Sequence, residues 1–204
     1  MERMSKKFYL GSFIGGIVLI FFLAIVFIVM AVVVPNVEDF QAYAIAGAIS
    51  FIILLIAVVI YLVVVTAMMF YKMWEAINDE EMPIHPVVAT VLIVIPIINF
   101  FWSMAAYPLF MKYYNEYIER RAIGVNALKP GLFYAYPALL AVYVICSVIN
   151  QIVSIIPDFS NLYPILISST LIGSVAYITA FVVFLVLVAN ICDAVNRLPQ
   201  PAGE

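Results

Sequence analysis

The sequence predicts an all-α integral membrane protein with four transmembrane helices plus a re-entrant or interfacial helical hairpin. The competing arrangement is five transmembrane helices. Three observations predict this class. Of 204 residues, 67% are apolar and only 10% charged, against about half and about a quarter in a soluble domain. Five apolar runs each exceed the roughly 20 residues that a helix needs to cross hydrocarbon. The nine Lys and Arg residues fall unevenly among the loops. The composition excludes a soluble globular enzyme and a disordered chain. Nine scattered basic residues build no phosphate-binding surface of useful size, so no nucleic-acid partner is expected. Two cysteines, Cys146 and Cys192, make no disulfide framework.

The first run, 8–34, follows Arg3, Lys6 and Lys7. Its apolar core is longer than the roughly 7–15 residues of a signal peptide, and no small-x-small cleavage site follows. It reads as a retained first helix. The second run covers 42–71, the third 86–111, the fourth 132–156 and the fifth 163–191. None contains Asp, Glu, Lys or Arg. Inside hydrocarbon a backbone must satisfy itself, and strand-like alternation is absent, so these runs are helices. Small residues recur in them: Gly11 and Gly15 with Ser12 and Gly16, Ala44 to Ser50 at the start of the second, Ser169 and Gly173 in the last. Such residues let helix backbones approach, within one chain or between copies.

The basic residues set the topology. Arg3, Lys6 and Lys7 precede the first run; Lys72 follows the second. Lys112, Arg120, Arg121 and Lys129 follow the third, and Arg197 the last. The loops at 35–41 and 157–162 carry only Glu38, Asp39 and Asp158. If all five runs crossed, with the N-terminus inside, five of the nine basic residues would lie outside, against the positive-inside bias. If the third run enters and leaves on one side, all nine are cytoplasmic, and so are both termini. Its own residues favour that turn. Pro96 removes a backbone donor in mid-run. Asn99 tolerates turn conformations, and Trp102 anchors the bend. A bend at Pro96–Asn99 leaves arms of about 16 and 22 Å at 1.5 Å per residue, each too short to span.

From 103 to 121 the apolar tail turns polar without a break, predicting an interface helix. Tyr107, Tyr113, Tyr114 and Tyr117 suit the headgroup level. Arg120 and Arg121 suit a helix C-terminus, with Gly124 as its stop. This segment reads as a membrane anchor or as a partner-docking surface, and its basic residues favour anionic lipid.

The fourth run carries a polar stripe. Tyr143, Ser147, Asn150, Gln151, Ser154 and Asp158 recur at three- and four-residue spacing, on one helix face. Asn150 and Gln151 are costly to present to lipid, so the face should point into the bundle. It either holds helices together by hydrogen bonds or lines a cavity for a small polar substrate. Candidate chemistry is sparse. His85, the sole histidine, follows Asp79, Glu80 and Glu81 in a short loop. One imidazole without a recognised ligand spacing predicts a solvated acidic turn and no metal site. No nucleophile, metalloprotease or P-loop motif occurs, and no cofactor or catalytic residue is expected.

Met73-Trp74-Glu75-Ala76-Ile77 is followed by Ile95-Pro96-Ile97-Ile98-Asn99-Phe100-Phe101-Trp102. This W-x-A-I and I-P-x-x-N-x-x-W pairing resembles a segment of uncharacterised bacterial multipass membrane proteins that carry domain-of-unknown-function labels. The resemblance covers residues 71–115 and includes a late helical asparagine, here Asn115. Cys192-Asp193-Ala194-Val195-Asn196 is similar to the end of their last helix. The resemblance implies a bacterial inner-membrane location and no activity. The function expected is that of a non-enzymatic accessory or scaffold protein. The alternative is a small oligomeric transporter or channel built on the polar face of the fourth run, with an intramembrane enzyme a distant third. The expected partners are the lipid bilayer and either a larger membrane complex or a second copy of the chain.

Overall fold

The computed structural model describes residues 3–33, 41–156 and 162–199. Glu38, Asp39 and Asp158 therefore lie outside the described residues. Among the described residues the chain forms helices and no strands. The helices are α1 (Lys6–Val33), α2 (Gln41–Glu75), α3 (Pro86–Val94), α4 (Pro96–Arg120), α5 (Pro130–Ile155) and α6 (Tyr163–Arg197). Four helices are long and apolar enough to cross a membrane, over Lys6–Val29, Gly47–Glu75, Pro130–Ile155 and Tyr163–Arg197. The protein is thus an all-α membrane protein with four spans. Among the described residues the third apolar run adds no helix to these four, although its second arm, α4, at 25 residues is longer than the sequence predicts. Its first arm, α3, has 9 residues and reaches about 14 Å, under half the thickness of the hydrocarbon.

Helix ends depart from the limits of the apolar runs. α2 continues to Glu75 and α6 to Arg197, because helical hydrogen bonds propagate into polar residues until a cap or turn interrupts them.

The chain divides into two compact units, Ser5–Met69 and Phe70–Glu204, the latter including the tail through Met4. In the first unit, Ser5 caps α1: its Oγ accepts from the Phe8 N–H at 3.3 Å. α1 and α2 pair antiparallel, with a Ser12–Tyr61 hydroxyl bond of 2.8 Å and a Phe27–Phe51 stack at 4.7 Å. The close approach is made at Gly16, where a Cβ would lie 2.6 Å from Leu62 Cδ2. Gly11 and Gly15, the G-x-x-x-G pair, have nothing within 4 Å of that position.

In the second unit α3 and α4 fold back on each other. The break is at Ile95, extended at φ −75° and ψ 115°. A residue before proline is pushed out of the helical region, so the break precedes Pro96, which opens α4. Asn99 lies inside the first turn of α4, its N–H bonded to the Ile95 carbonyl at 2.7 Å. The arms are therefore 9 and 25 residues, and the second arm and the expected interface helix are one continuous α4. Trp102 closes the hairpin: its Nε1 donates to the Ala89 carbonyl at 3.0 Å. Trp74, at the end of α2, is fully buried beside Trp102, Phe110 and Tyr113.

α5 and α6 pair antiparallel in one register. Tyr136 meets Phe184, Tyr143 meets Tyr177, Cys146 meets Gly173 and Asn150 meets Thr170. Three of these pairs recur every seven residues on both helices, the repeat of a left-handed seam. The outward face of α5 shows Ile145, Val148, Ile152 and Ile155 exposed, as a lipid-facing side requires.

Candidate functional site

The polar stripe of α5 divides on that seam. Asn150 bonds α6 through both ends of its amide. Its Nδ2 donates to Thr170 Oγ1 at 3.2 Å, and its Oδ1 accepts from Ser169 Oγ. Tyr143 packs on Tyr177 with ring centroids 5.1 Å apart. Ser147 lies one residue off the seam and is half-buried. Gln151 and Ser154 are exposed, and Ser154 Oγ donates to the Gln151 carbonyl at 2.8 Å. The helix period puts all five on a broad face. The seam takes in only Tyr143 and Asn150, along with Cys146 and Val153, which are apolar and buried.

At the other end of α5 lies a second constellation, built by two asparagines in the same way. Asn115 on α4 accepts from the Leu128 N–H at 2.7 Å and donates to the Leu128 carbonyl at 3.0 Å. Asn196 on α6 accepts from the Met4 N–H and donates to the Met4 carbonyl, both at 2.8 Å. An amide side chain carries one acceptor and one donor group side by side, so it pins an extended residue as a neighbouring strand would. One asparagine fixes the α4–α5 loop; the other fixes the N-terminal tail.

An ionic clasp joins the loop before α3 to the end of α4. Arg120 bonds Asp79 at 2.9 Å and Glu81 at 3.1 Å, and Arg121 stands 3.9 Å from Asp79. The Asp79 side chain is only 6% exposed. The segment from Asp79 to Arg120 thus begins and ends at one place. His85 is the N-cap of α3, with Nδ1 accepting from the Val87 N–H at 3.3 Å. No cluster of three His, Cys, Asp or Glu side chains that could hold a metal occurs among the described residues. α4 ends at Arg120, four residues before Gly124. Ala122 takes a left-handed φ of 50°. The N–H groups of Ala122 and Ile123 return to the Glu119 and Ile118 carbonyls at 3.1 and 2.9 Å, a Schellman cap made without glycine.

Between these features is a cavity of about 430 Å³ lined by Tyr114, Lys129, Phe133, Asn190, Asp193 and Arg197, among others. Tyr114 donates to the Ala194 carbonyl at 3.2 Å. Burial raises its phenol above the ordinary value, and Arg197 pulls the other way. Sequence reasoning missed this group. Its signal was present: Asn190, Asp193 and Arg197 stand at i, i+3 and i+7, one face of a helix end.

Fold and site together define a multipass helical membrane protein with a hydrogen-bonded seam in its spans and a polar, ion-paired end. Comparison with protein-family models, curated proteins and solved structures gave no match.

Proposed function

We propose that this chain is a non-enzymatic accessory or scaffold protein of a bacterial inner membrane, with both termini cytoplasmic. Asn150 carries this reading. It is one of the two amide side chains of α5, in its last two turns, and both its amide groups face Ser169 and Thr170 of the neighbouring helix. A transport path needs such a group turned toward a polar lumen; a structural bundle uses it as interhelical glue. The Ser12–Tyr61 bond has the same character within α1 and α2. The positive-inside bias supports the topology, and so does the meeting of Asp79 with Arg120 at the two ends of the hairpin segment. The bacterial location rests on the resemblance of residues 71–115 to multipass proteins of that membrane.

The test is a tagged purification from native membranes in mild detergent, with co-purifying proteins identified. A stoichiometric second protein is expected. A homo-oligomer that carries solute flux in vesicles, and loses it in a folded Asn150→Leu/Gln151→Leu variant, would overturn the reading in favour of a small oligomeric transporter.

A further inference from the structure

The cavity beside Tyr114 has a chemistry that helix packing does not use. Two cations line it, Lys129 and Arg197, against one carboxylate, Asp193. Neither cation has an ion-pair partner among the described residues. Asn190 adds an amide, and Leu132 and Phe133 add apolar wall. The position matters as much as the charge. Lys129 directly precedes the α5 span, Leu132 and Phe133 lie in its first turn, and Arg197 ends α6. The cavity therefore lies at the ends of two candidate spans, with its cations at the helix ends and Leu132 and Phe133 further into the α5 span. An amphiphile with a negative head matches that division; a wholly soluble anion leaves the apolar wall unmatched. At about 430 Å³ the cavity falls within the range of small-ligand sites, roughly 300–1,000 Å³.

We propose that this cavity binds the headgroup phosphate of an anionic membrane phospholipid, with Lys129 and Arg197 as the phosphate contacts. The proposal requires only that the chain lies in a membrane, so it stands or falls separately from the scaffold reading. The experiment is native mass spectrometry of the purified full chain, titrated with phosphatidylglycerol, phosphatidylcholine or inorganic phosphate. Phosphatidylglycerol should bind in preference to phosphatidylcholine. The Lys129→Gln/Arg197→Gln variant should bind it about 30-fold more weakly, taking about a tenfold loss per 1.4 kcal/mol and about 1 kcal/mol per basic residue at a lipid surface. Lys112→Gln, which removes a charge of α4 that does not line the cavity, should leave binding unchanged. Equal binding of the two lipids overturns the proposal, as does an equal loss in Lys112→Gln, which would mark a diffuse surface effect. Displacement of phosphatidylglycerol by inorganic phosphate would assign the cavity to a soluble anion and overturn it too. Should the double variant fail to fold, the comparison of the two lipids on the unaltered protein decides alone.

Discussion

At the scale of single residues, the polar end of the protein depends on side chains that do backbone work. Asn115 replaces the strand partner that Leu128 lacks, and Asn196 does the same for Met4. Removing either strands one backbone donor and one acceptor. At about 1 kcal/mol net for each bond, Asn115→Ala is expected to destabilise by about 2 kcal/mol. That corresponds to a melting point in detergent lower by about 4–8 °C, using about 2–4 °C per kcal/mol for a chain of this length. An unchanged melting point would show that the α4–α5 loop is held by something else. Ala122 makes the opposite prediction. Its φ of 50° places a Cβ where an L-residue is strained by roughly 1–2 kcal/mol. Ala122→Gly removes that strain and gives back part of it as unfolded-state freedom. The net expectation is a stabilisation of about 0.5–1 kcal/mol, read as a higher melting point. A fall would mean that the Ala122 methyl makes contacts worth more than the strain.

At the scale of helices, the α5–α6 seam separates what the sequence made legible from what it hid. Apolar run length marked the four spans, because hydrocarbon imposes one requirement on every residue inside it, but it marked the third run as well, and only the basic residues and Pro96 set that run apart. The break near Pro96 was legible for a similarly local reason. Its place, one residue earlier at Ile95, follows from the restriction that proline puts on its predecessor. The continuity of the second hairpin arm with the interface helix into a single α4 was legible in the unbroken shift from apolar to polar residues. The orientation of the α5 stripe was not. A lone helix offers Tyr143, Ser147, Asn150, Gln151 and Ser154 as one face, and only the partner's register selects Tyr143 and Asn150. The cavity was hidden because its parts come from α4, the following loop, α5 and α6. Two substitutions probe the seam. Asn150→Leu should lower the melting point while leaving the protein monodisperse, at about 1 kcal/mol or less for each interhelical bond lost. Gly173→Leu should cost more. A Cβ at Gly173 already lies 3.1 Å from Cys146 Cβ, and a longer side chain must push the helices apart. Overpacking of this kind costs roughly 1–3 kcal/mol. If Gly173→Leu were the milder of the two, close backbone approach would not be what holds the seam.

At the scale of the whole molecule, the placement of the hairpin decides the topology, and its two ends give the argument. α3 is too short to cross, and it returns along α4 through the Trp102–Ala89 bond. The chain then runs on to Arg120, which meets Asp79 before the hairpin. A segment whose ends are ion-paired to each other cannot deliver them to opposite faces of a membrane about 30 Å thick. It follows that the loop after α4, with Lys129 and Asn126, shares a side with the loop after α2. On the topology proposed above, that is also the side of both termini, and the positive-inside bias would make it cytoplasmic, with all nine basic residues there. The prediction is that Asn126→Cys, in a chain carrying Cys146→Ala and Cys192→Ala, resists an impermeant thiol reagent added to intact cells and reacts once the membrane is opened. Asn126 is exposed, so shielding by the fold does not account for silence in intact cells. Asp39→Cys, in the acidic loop between the first two spans, supplies the contrast and should react from outside. Labelling of both positions in intact cells would mean that the hairpin segment crosses, that the ion pair between Asp79 and Arg120 does not form in the membrane, and that the charge bias of this chain is broken by five residues.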